Sequence, residues 1–300
     1  SETRTVWGTF NMYGGTISDN ITSVGGGVRV KEDGVFNLYG GSITNNEAGG
    51  IASQGGGVYV DGGRFSMYSG SSITKNYPSG SGGQGGGVYV NSGTFEMYGG
   101  RISGNRTTIE REDEGGSGGG VYVKDGEFTM TGGTICGNTA NNASTKNGKV
   151  IGGGGGVYVA SSGTFTVFGN AYIAGNKAGS KTDTATAANN VYLLSGQTIT
   201  VGDKLENDAR IGVTVAGSDT SIGGTVVAVP DTSSGATLRD TDAAKFVSDS
   251  GSYRGTLDND GNVKLASAPH SHYLCGGTTG CTCPAGHTET AEQVTFRAWT

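Results

Sequence analysis

Gly85-Gly86-Gly87-Val88-Tyr89-Val90-Asn91-Ser92-Gly93-Thr94-Phe95-Glu96-Met97-Tyr98-Gly99-Gly100-Arg101-Ile102-Ser103-Gly104-Asn105 decides the fold, because the chain repeats this stretch with variations. It holds three elements: Gly-Gly-Gly-Val-Tyr-Val, Gly-x-Phe-x-Met-Tyr-Gly and Gly-x-Ile-x-x-Asn. The leading Val recurs at Val28, Val58, Val88, Val121 and Val157, with a degenerate copy at Val191; the Phe recurs at Phe10, Phe36, Phe65, Phe95, Phe128 and Phe165; the Asn recurs at Asn20, Asn46, Asn76, Asn105, Asn138 and Asn176. A fixed period of roughly 20 to 50 residues is typical of solenoids.

Each element is short, alternates apolar with other residues, and is bounded by Gly, Asn or Ser, which indicates strands rather than helices. Three such strands cannot bury an apolar face alone, but stacked copies can. The repeat therefore predicts an all-β fold, a right-handed parallel β-helix of three sides, with about six coils in residues 5–195. The recurring Asn falls where the chain turns and predicts a structural ladder of side-chain amides.

The composition excludes several classes of partner. The chain has 300 residues with 60 Gly, only 20 Lys plus Arg, and a formal net charge of −6. Because no basic stripe is available to neutralise phosphates, we expect no nucleic-acid partner and no binding to anionic membranes. No apolar run approaches the roughly 20 residues of a membrane helix, so membrane insertion is not expected either.

The period divides the chain into three parts. We expect residues 1–195 to form the repeating coils, residues 196–266 to form irregular final coils and a cap, and residues 267–300 to form a Cys/His-containing linker module. Val6-Trp7-Gly8-Thr9-Phe10 is already within a repeat, so we interpret the chain as a piece of a longer polypeptide. Neighbouring domains of that polypeptide are expected partners.

Two features predict a binding surface. Insertions between each Asn and the next Gly triplet lengthen along the chain and leave one edge of the solenoid, where repeat proteins often bind. Two rows of Tyr are expected to point outward, where the rings could stack on sugars or simply on one another. The candidate ligand-binding residues are Tyr59, Tyr89, Tyr122 and Tyr158 in one row and Tyr68 and Tyr98 in the other. Arg29 interrupts the first row, and Thr131 and Phe168 end the second.

The tail holds a compact set of thiols and imidazoles: His270, His272, Cys275, Cys281, Cys283 and His287. These ligand types suit a structural zinc ion. In an exported protein, however, Cys275 could instead form a disulfide with Cys281 or Cys283. Both alternatives stay open, and either would staple a segment too small to carry its own core.

An enzyme of this fold that cleaves glycans would need carboxylates close together. The candidates are Glu96, Asp125, Glu127 and the acidic run Glu110-Arg111-Glu112-Asp113-Glu114. A run of acids in a Gly-flanked loop is more typical of a solvated tip, and every His lies in the tail. We therefore name no catalytic residue and treat a polysaccharide lyase or glycoside hydrolase as the alternative function.

The iterated Gly-Gly-Gly-Val-Tyr-Val, Gly-Thr-Phe-x-Met-Tyr-Gly-Gly and Ile-Ser-Gly-Asn elements resemble the pectate-lyase-like β-helix repeats of large adhesin-like surface proteins of Gram-positive, often gut-dwelling bacteria. The resemblance covers about residues 5–265, and the tail also resembles linker modules in such proteins. It implies a secreted or cell-surface location and a non-catalytic adhesin-like or scaffold module, binding glycans or host-surface proteins. A purely structural spacer is the third alternative.

Overall fold

The fold is a parallel β-solenoid, as the repeat predicts. The computed structural model describes residues 8–50, 53–80, 82–107, 116–141, 144–146, 149–151, 153–179, 187–216 and 224–267. Within these residues, 22 strands join into one hydrogen-bonded sheet, whose strands form the sides of the coils. The short helix Asp240–Ala243 is the one α-helix of the described residues.

Three sides of this sheet correspond to the three sequence elements. The first side, the Val side, holds Val28–Lys31, the starts of Val58–Met67 and Val88–Met97, then Val121–Val123, Val157–Val159 and Val191–Leu193. The second side, the Phe side, holds Thr9–Met12, Val35–Leu38, the ends of the two long strands, then Glu127–Met130, Thr164–Gly169 and Ile199–Leu205. The third side, the Ile side, holds Thr16–Ser18, Gly41–Thr44, Ser71–Thr74, Arg101–Ser103, Thr134–Cys136, Tyr172–Ile173 and Arg210–Val215.

Equivalent residues of successive coils are paired in register. Phe65 lies beside Phe36 on one side and Phe95 on the other, and Val88 lies between Val58 and Val121. Because strands alternate their side chains, every second residue points into the core. Leu38, Met67, Met97 and Met130 are fully buried there. The Phe rings continue this packing as a row with ring centroids 4.7 to 5.5 Å apart.

A buried ladder of Asn amides holds the turn after the Ile side. The backbone N–H and the side-chain Nδ2 of Asn76 both donate to Oδ1 of Asn105, at 2.9 and 3.0 Å. Asn105 donates to Asn138 in the same way, at 3.0 Å. Side-chain Nδ2 of Asn76 also bonds the carbonyl of Ile43 in the preceding coil. Each rung thus satisfies backbone groups that the turn would otherwise bury without partners.

The insertions begin and end as part of the stack. After the Asn, short strands pair at Ile21–Thr22, Glu47–Ala48 and Tyr77–Pro78, and again at Thr139–Asn141 and Lys177–Gly179, which also pairs antiparallel with Ala187–Ala188. Before the Gly triplet, single residues pair in a second column, the return column: Val24, Gln54, Gln84, Ser117 and Gly153. Ser144–Lys146 and Lys149–Ile151 form a hairpin within the longest insertion.

The period becomes irregular after Leu193, but the stacking continues. Arg210–Val215 pairs through its start with Tyr172–Ile173 of the Ile side and through its end with Val191–Leu193 of the Val side. Val226–Pro230 and Phe246–Ser248 each add one more parallel strand. Tyr253–Leu257 and Val263–Ser267 then pair antiparallel with these strands and with each other. Across the described residues, no helix has the length and hydropathy needed to cross a bilayer.

Candidate functional site

The Tyr row of the Val side, which the sequence places outward, is buried and forms a cluster separate from the main core. Tyr89 is 1% exposed, and Tyr59 and Tyr122 are each below 10%. Tyr158 is half-buried and Tyr192 is buried. The rings stack on one another with centroids 5.0 to 5.6 Å apart. This row contributes packing, which is the second of the two roles that the sequence allows.

The return column covers these rings. Val24 packs against the cluster of Tyr59, Tyr89 and Tyr122. A β-carbon on Gly153 would lie 2.8 Å from the ring of Tyr192, so the chain passes directly over that side chain. Gly85, the first of its triplet, has a φ of +67°, which lets the chain reverse sharply between the return column and the Val side. The Tyr row of the Val side therefore lies between the Val side and the return column.

Burial also suppresses ionisation of the row. Burial raises the pKa of Tyr122 to about 12, and the neighbouring Tyr158 and Asp125 add to the effect. The pKa of Tyr89 is raised further, again chiefly by burial. These phenols therefore stay neutral at physiological pH.

The Tyr row of the Phe side is exposed. It consists of Tyr13, Tyr39, Tyr68 and Tyr98, which we call the Tyr ladder. Tyr13 is 75% exposed, Tyr98 is 44% exposed, and Tyr39 is also exposed, whereas Tyr68 is half-buried. Their ring centroids are 5.1, 4.5 and 5.1 Å apart, with interplanar angles of 9°, 23° and 19°. The ladder thus joins four coils in one exposed aromatic ridge.

The geometry of the Tyr ladder limits what it can contact. Within the ladder the ring faces are turned toward each other, so neighbouring rings occupy them. Ring edges remain for a ligand along the ridge. Each rung therefore offers apolar edge area together with a phenol that can donate or accept a hydrogen bond.

A second outward row of polar groups runs beside the Tyr ladder. It consists of Asn11, Asn37, Ser66 and Glu96, two residues before each Tyr, and we call it the polar row. Asn37 donates its side-chain amide to Oδ1 of Asn11 at 2.8 Å. The Ser66 hydroxyl donates to the Glu96 carboxylate at 3.0 Å. Partial burial and this carboxylate raise the pKa of Tyr98.

The repeat pattern does not single out the polar row as a binding feature, although its position between Phe and Met predicts that it points outward. Its members differ from coil to coil, so no repeat motif marks them. Their identities become informative only once the Tyr beside them is known to be exposed. Asn11 is exposed and Asn37 and Glu96 are half-buried, whereas Ser66 is buried. The two rows together therefore offer hydrogen-bonding groups at three of the four rungs beside apolar area, as ligand sites require.

The carboxylates considered for catalysis have other surroundings. Glu96 is bonded to Ser66, and Asp125 lies 3.2 Å from the Lys124 ammonium. Glu127 is exposed on the Phe side. Two open cavities, of about 270 and 480 Å³, are lined by residues around Phe10 and around Lys204 and Arg239, and none of the three carboxylates lines either one.

The remaining predicted site residues lie outside the described residues. They are the acidic run at 110–114 and the tail set His270, His272, Cys275, Cys281, Cys283 and His287. Within the described part of the chain, no group of three or more His, Cys, Asp or Glu side chains is arranged to hold a metal ion. The zinc and disulfide alternatives for the tail both stay predictions.

Comparisons with known proteins found no matching family model, no matching curated protein and no matching solved structure.

Proposed function

We propose that this solenoid is a non-catalytic binding module of a secreted or cell-surface protein, and that the Tyr ladder is its contact surface for glycans. The observation that carries the proposal is the exposed stack Tyr13, Tyr39, Tyr68 and Tyr98, in which three rings are openly exposed. Contiguous exposed apolar patches mark interaction sites in soluble proteins, because exposing apolar area to water is unfavourable. The resemblance of the repeats to adhesin-like surface proteins supports the extracellular location.

The solenoid supports this role by its rigidity. The Tyr ladder is anchored between fully buried residues, such as Met97 beside Tyr98 and Leu38 beside Tyr39. Parallel pairing of the strands fixes the distance between rungs. The rings are therefore ordered before a ligand arrives, which reduces the entropy lost on binding.

The test is a glycan-binding screen with the intact chain, comparing wild type with a Tyr39→Ala/Tyr68→Ala double variant. We expect wild type to bind a subset of glycans and the variant to lose at least tenfold in affinity, since two central rungs are removed. The matched control is Tyr158→Phe, which removes one hydroxyl from the other row and keeps its ring. This control should bind as wild type does.

Two outcomes would contradict the proposal. Equal binding by wild type and the double variant would exclude the Tyr ladder as the contact surface. Binding of no glycan by folded wild type would favour the structural spacer instead. Circular dichroism of each variant shows whether the fold is intact.

A further inference from the structure

The spacing of the Tyr ladder points to the shape of its ligand. Successive rings are 4.5 to 5.1 Å apart along the solenoid axis, because each rung is one strand spacing from the next. Along this axis a phenol edge repeats at each rung, and a polar side chain of the polar row lies beside it at every rung except that of Tyr68, where Ser66 is buried. Across the sheet nothing repeats. A ligand that uses several rungs equally must therefore lie parallel to the axis and have a repeat of similar length.

An extended β-1,4-linked polysaccharide meets this requirement. Its pyranose rings follow one another at nearly the spacing of strands in a sheet, and each ring carries hydroxyls along its edge. Polysaccharides with α-1,4 or α-1,6 links coil or flex and do not keep this register. One sugar could then contact one coil, with its hydroxyls between a Tyr phenol and the polar row.

Charge distinguishes neutral from anionic chains. On the Phe side, two acidic residues, Glu96 and Glu127, lie near the Tyr98 end of the Tyr ladder. One basic residue, Arg64, lies in the same register row as Glu127. The whole chain has a net charge of −6. Both facts disfavour a polyanion such as a polyuronate, because like charges repel on approach.

We propose, on the basis of the function proposed above, that the Tyr ladder and the polar row bind a neutral, extended β-1,4-linked polysaccharide that lies parallel to the solenoid axis, with one sugar per coil. The footprint is four sugars, set by Tyr13, Tyr39, Tyr68 and Tyr98. It ends at Thr131, which occupies the same position in the next coil: Tyr98 N–H donates to the carbonyl of Met67, and Thr131 N–H donates to that of Met97.

The test measures affinity against ligand length. Cello-oligosaccharides and xylo-oligosaccharides of two to six sugars are titrated into the intact chain by calorimetry. We expect affinity to rise by roughly two- to tenfold per added sugar up to four, because each rung adds a similar contact, and then to level off. Isomalto-oligosaccharides of the same lengths, which are α-1,6-linked, should bind weakly and without this rise.

Two variants shift the length at which affinity levels off. Thr131 and Phe168 occupy the position of Tyr98 in the next two coils. Thr131→Tyr therefore places an aromatic ring between Tyr98 and Phe168. It should extend the rise beyond four sugars, whereas the control Thr131→Val should not. Tyr13→Ala removes the most exposed rung, where loss of the ring endangers packing least, and should shorten the rise to three sugars.

Each result bears on one of the two proposals. Glycan binding without dependence on length, or an unchanged plateau in both Thr131→Tyr and Tyr13→Ala, would overturn the one-sugar-per-coil arrangement and leave the binding module intact. A second result would also overturn this arrangement and leave the binding module intact. In that case no β-1,4-linked probe binds, but other glycans bind and the Tyr39→Ala/Tyr68→Ala variant loses that binding. A plateau that follows both variants would support the arrangement.

Discussion

Tyr89 and Tyr98 show how far two identical residues near the ends of one strand can differ. Tyr89 lies within the Val88–Met97 strand and stacks on Tyr of both adjacent coils. Tyr98 directly follows the buried end of that strand and stacks on Tyr68 of one adjacent coil. Tyr89 is 1% exposed beneath the return column, whereas Tyr98 is 44% exposed. The difference comes from the chain that passes over one ring and not over the other.

Alanine at these two positions should therefore give different losses of stability. Tyr89→Ala leaves a cavity between Tyr59 and Tyr122 and should lower the free energy of unfolding by about 3 kcal/mol or more. Tyr98→Ala removes one exposed cross-strand pair and should lower it by about 1 kcal/mol or less. Urea denaturation followed by circular dichroism measures both. Equal losses would mean that the return column does not cover Tyr89 in solution.

The residue before each recurring Asn from Asn20 to Asn176 has a left-handed backbone. Asn45 has a φ of +56° and Lys75 a φ of +59°, while Gly104 and Gly137 take the same place in later coils with +67° and +65°. A left-handed backbone is unfavourable for most residues but not for Gly, and Asn tolerates it better than Lys. Lys75 is exposed, so its side chain gives little compensation.

Lys75→Gly should therefore stabilise the protein. We expect a gain of roughly 0.5 to 1 kcal/mol, since relief of the backbone strain exceeds the added entropy of Gly in the unfolded chain. Asn45→Gly, the matched control, should gain less. Thermal unfolding of the three proteins under one condition measures the order; a lower melting temperature for Lys75→Gly would refute this account of the turn.

At the scale of elements, the Asn ladder links each coil to the next through side chains as well as strands. Asn105 is fully buried and uses every hydrogen-bonding group of its amide: Oδ1 accepts twice from Asn76, and Nδ2 donates to Asn138 and to the carbonyl of Ile73. Buried polar side-chain atoms without a hydrogen-bond partner are absent from the described residues. The ladder contributes to that result.

Replacing one central rung should leave several buried groups without partners. Asn105→Leu removes the acceptor of two Asn76 donors and the donors to Asn138 and Ile73, so we expect a loss of about 3 to 5 kcal/mol. Asn20→Ala is the control, because Asn20 is exposed at the first rung and should cost about 1 kcal/mol. The two are compared by chemical denaturation. A loss at Asn105 no greater than that at Asn20 would contradict a stabilising ladder.

At the scale of the whole molecule, the ladder runs the length of the coils and ends on a carboxylate. Asn190 donates its backbone N–H to Oδ2 of Asp249 at 2.7 Å and its side-chain amide to Oδ1 at 2.5 Å, and the Thr214 hydroxyl donates to Oδ2 at 2.6 Å. Asp249 thus takes the place of a further Asn. Burial raises the pKa of Asp249 above its ordinary value of 3.8, although these hydrogen bonds and Arg210 oppose the shift.

The sign of the pH dependence follows from this shift. Between pH 3.8 and the higher pKa in the folded state, the folded protein holds more protons on Asp249 than the unfolded chain does. The contribution of this group to stability therefore falls as the pH rises through that window. Asp249→Asn removes the charge and keeps an acceptor for Asn190, so the variant should be more stable than wild type at neutral pH.

Unfolding of wild type and Asp249→Asn between pH 3 and pH 8 measures this effect. The stability difference between the two should shrink as the pH falls below the folded pKa of Asp249. A variant less stable than wild type at neutral pH would show that the ionised carboxylate stabilises the end of the ladder. Asp258→Asn is a suitable control, because hydrogen bonds within its own turn lower the pKa of that exposed group and the opposite trend is expected.

Much of the fold follows from the sequence because each coil repeats the same pattern, so an assignment made for one coil must also fit the others. A residue type that recurs at the same place in every coil, such as Phe65 and Phe95, must occupy the same environment in every coil. The strands, their parallel register, the inward rows and the Asn ladder can all be read from this recurrence. The candidate site can be read only in part: the sequence places Tyr98 and Tyr89 outward alike.

The sequence by itself determined the solenoid, since alternation and period fix which side chains point into the core. Only the tertiary structure decided which outward row remains exposed. Pointing away from the core of a strand is a local property, whereas exposure depends on chain that returns from elsewhere in the coil. The return column covers Tyr59, Tyr89 and Tyr122 and leaves Tyr13, Tyr39 and Tyr98 exposed.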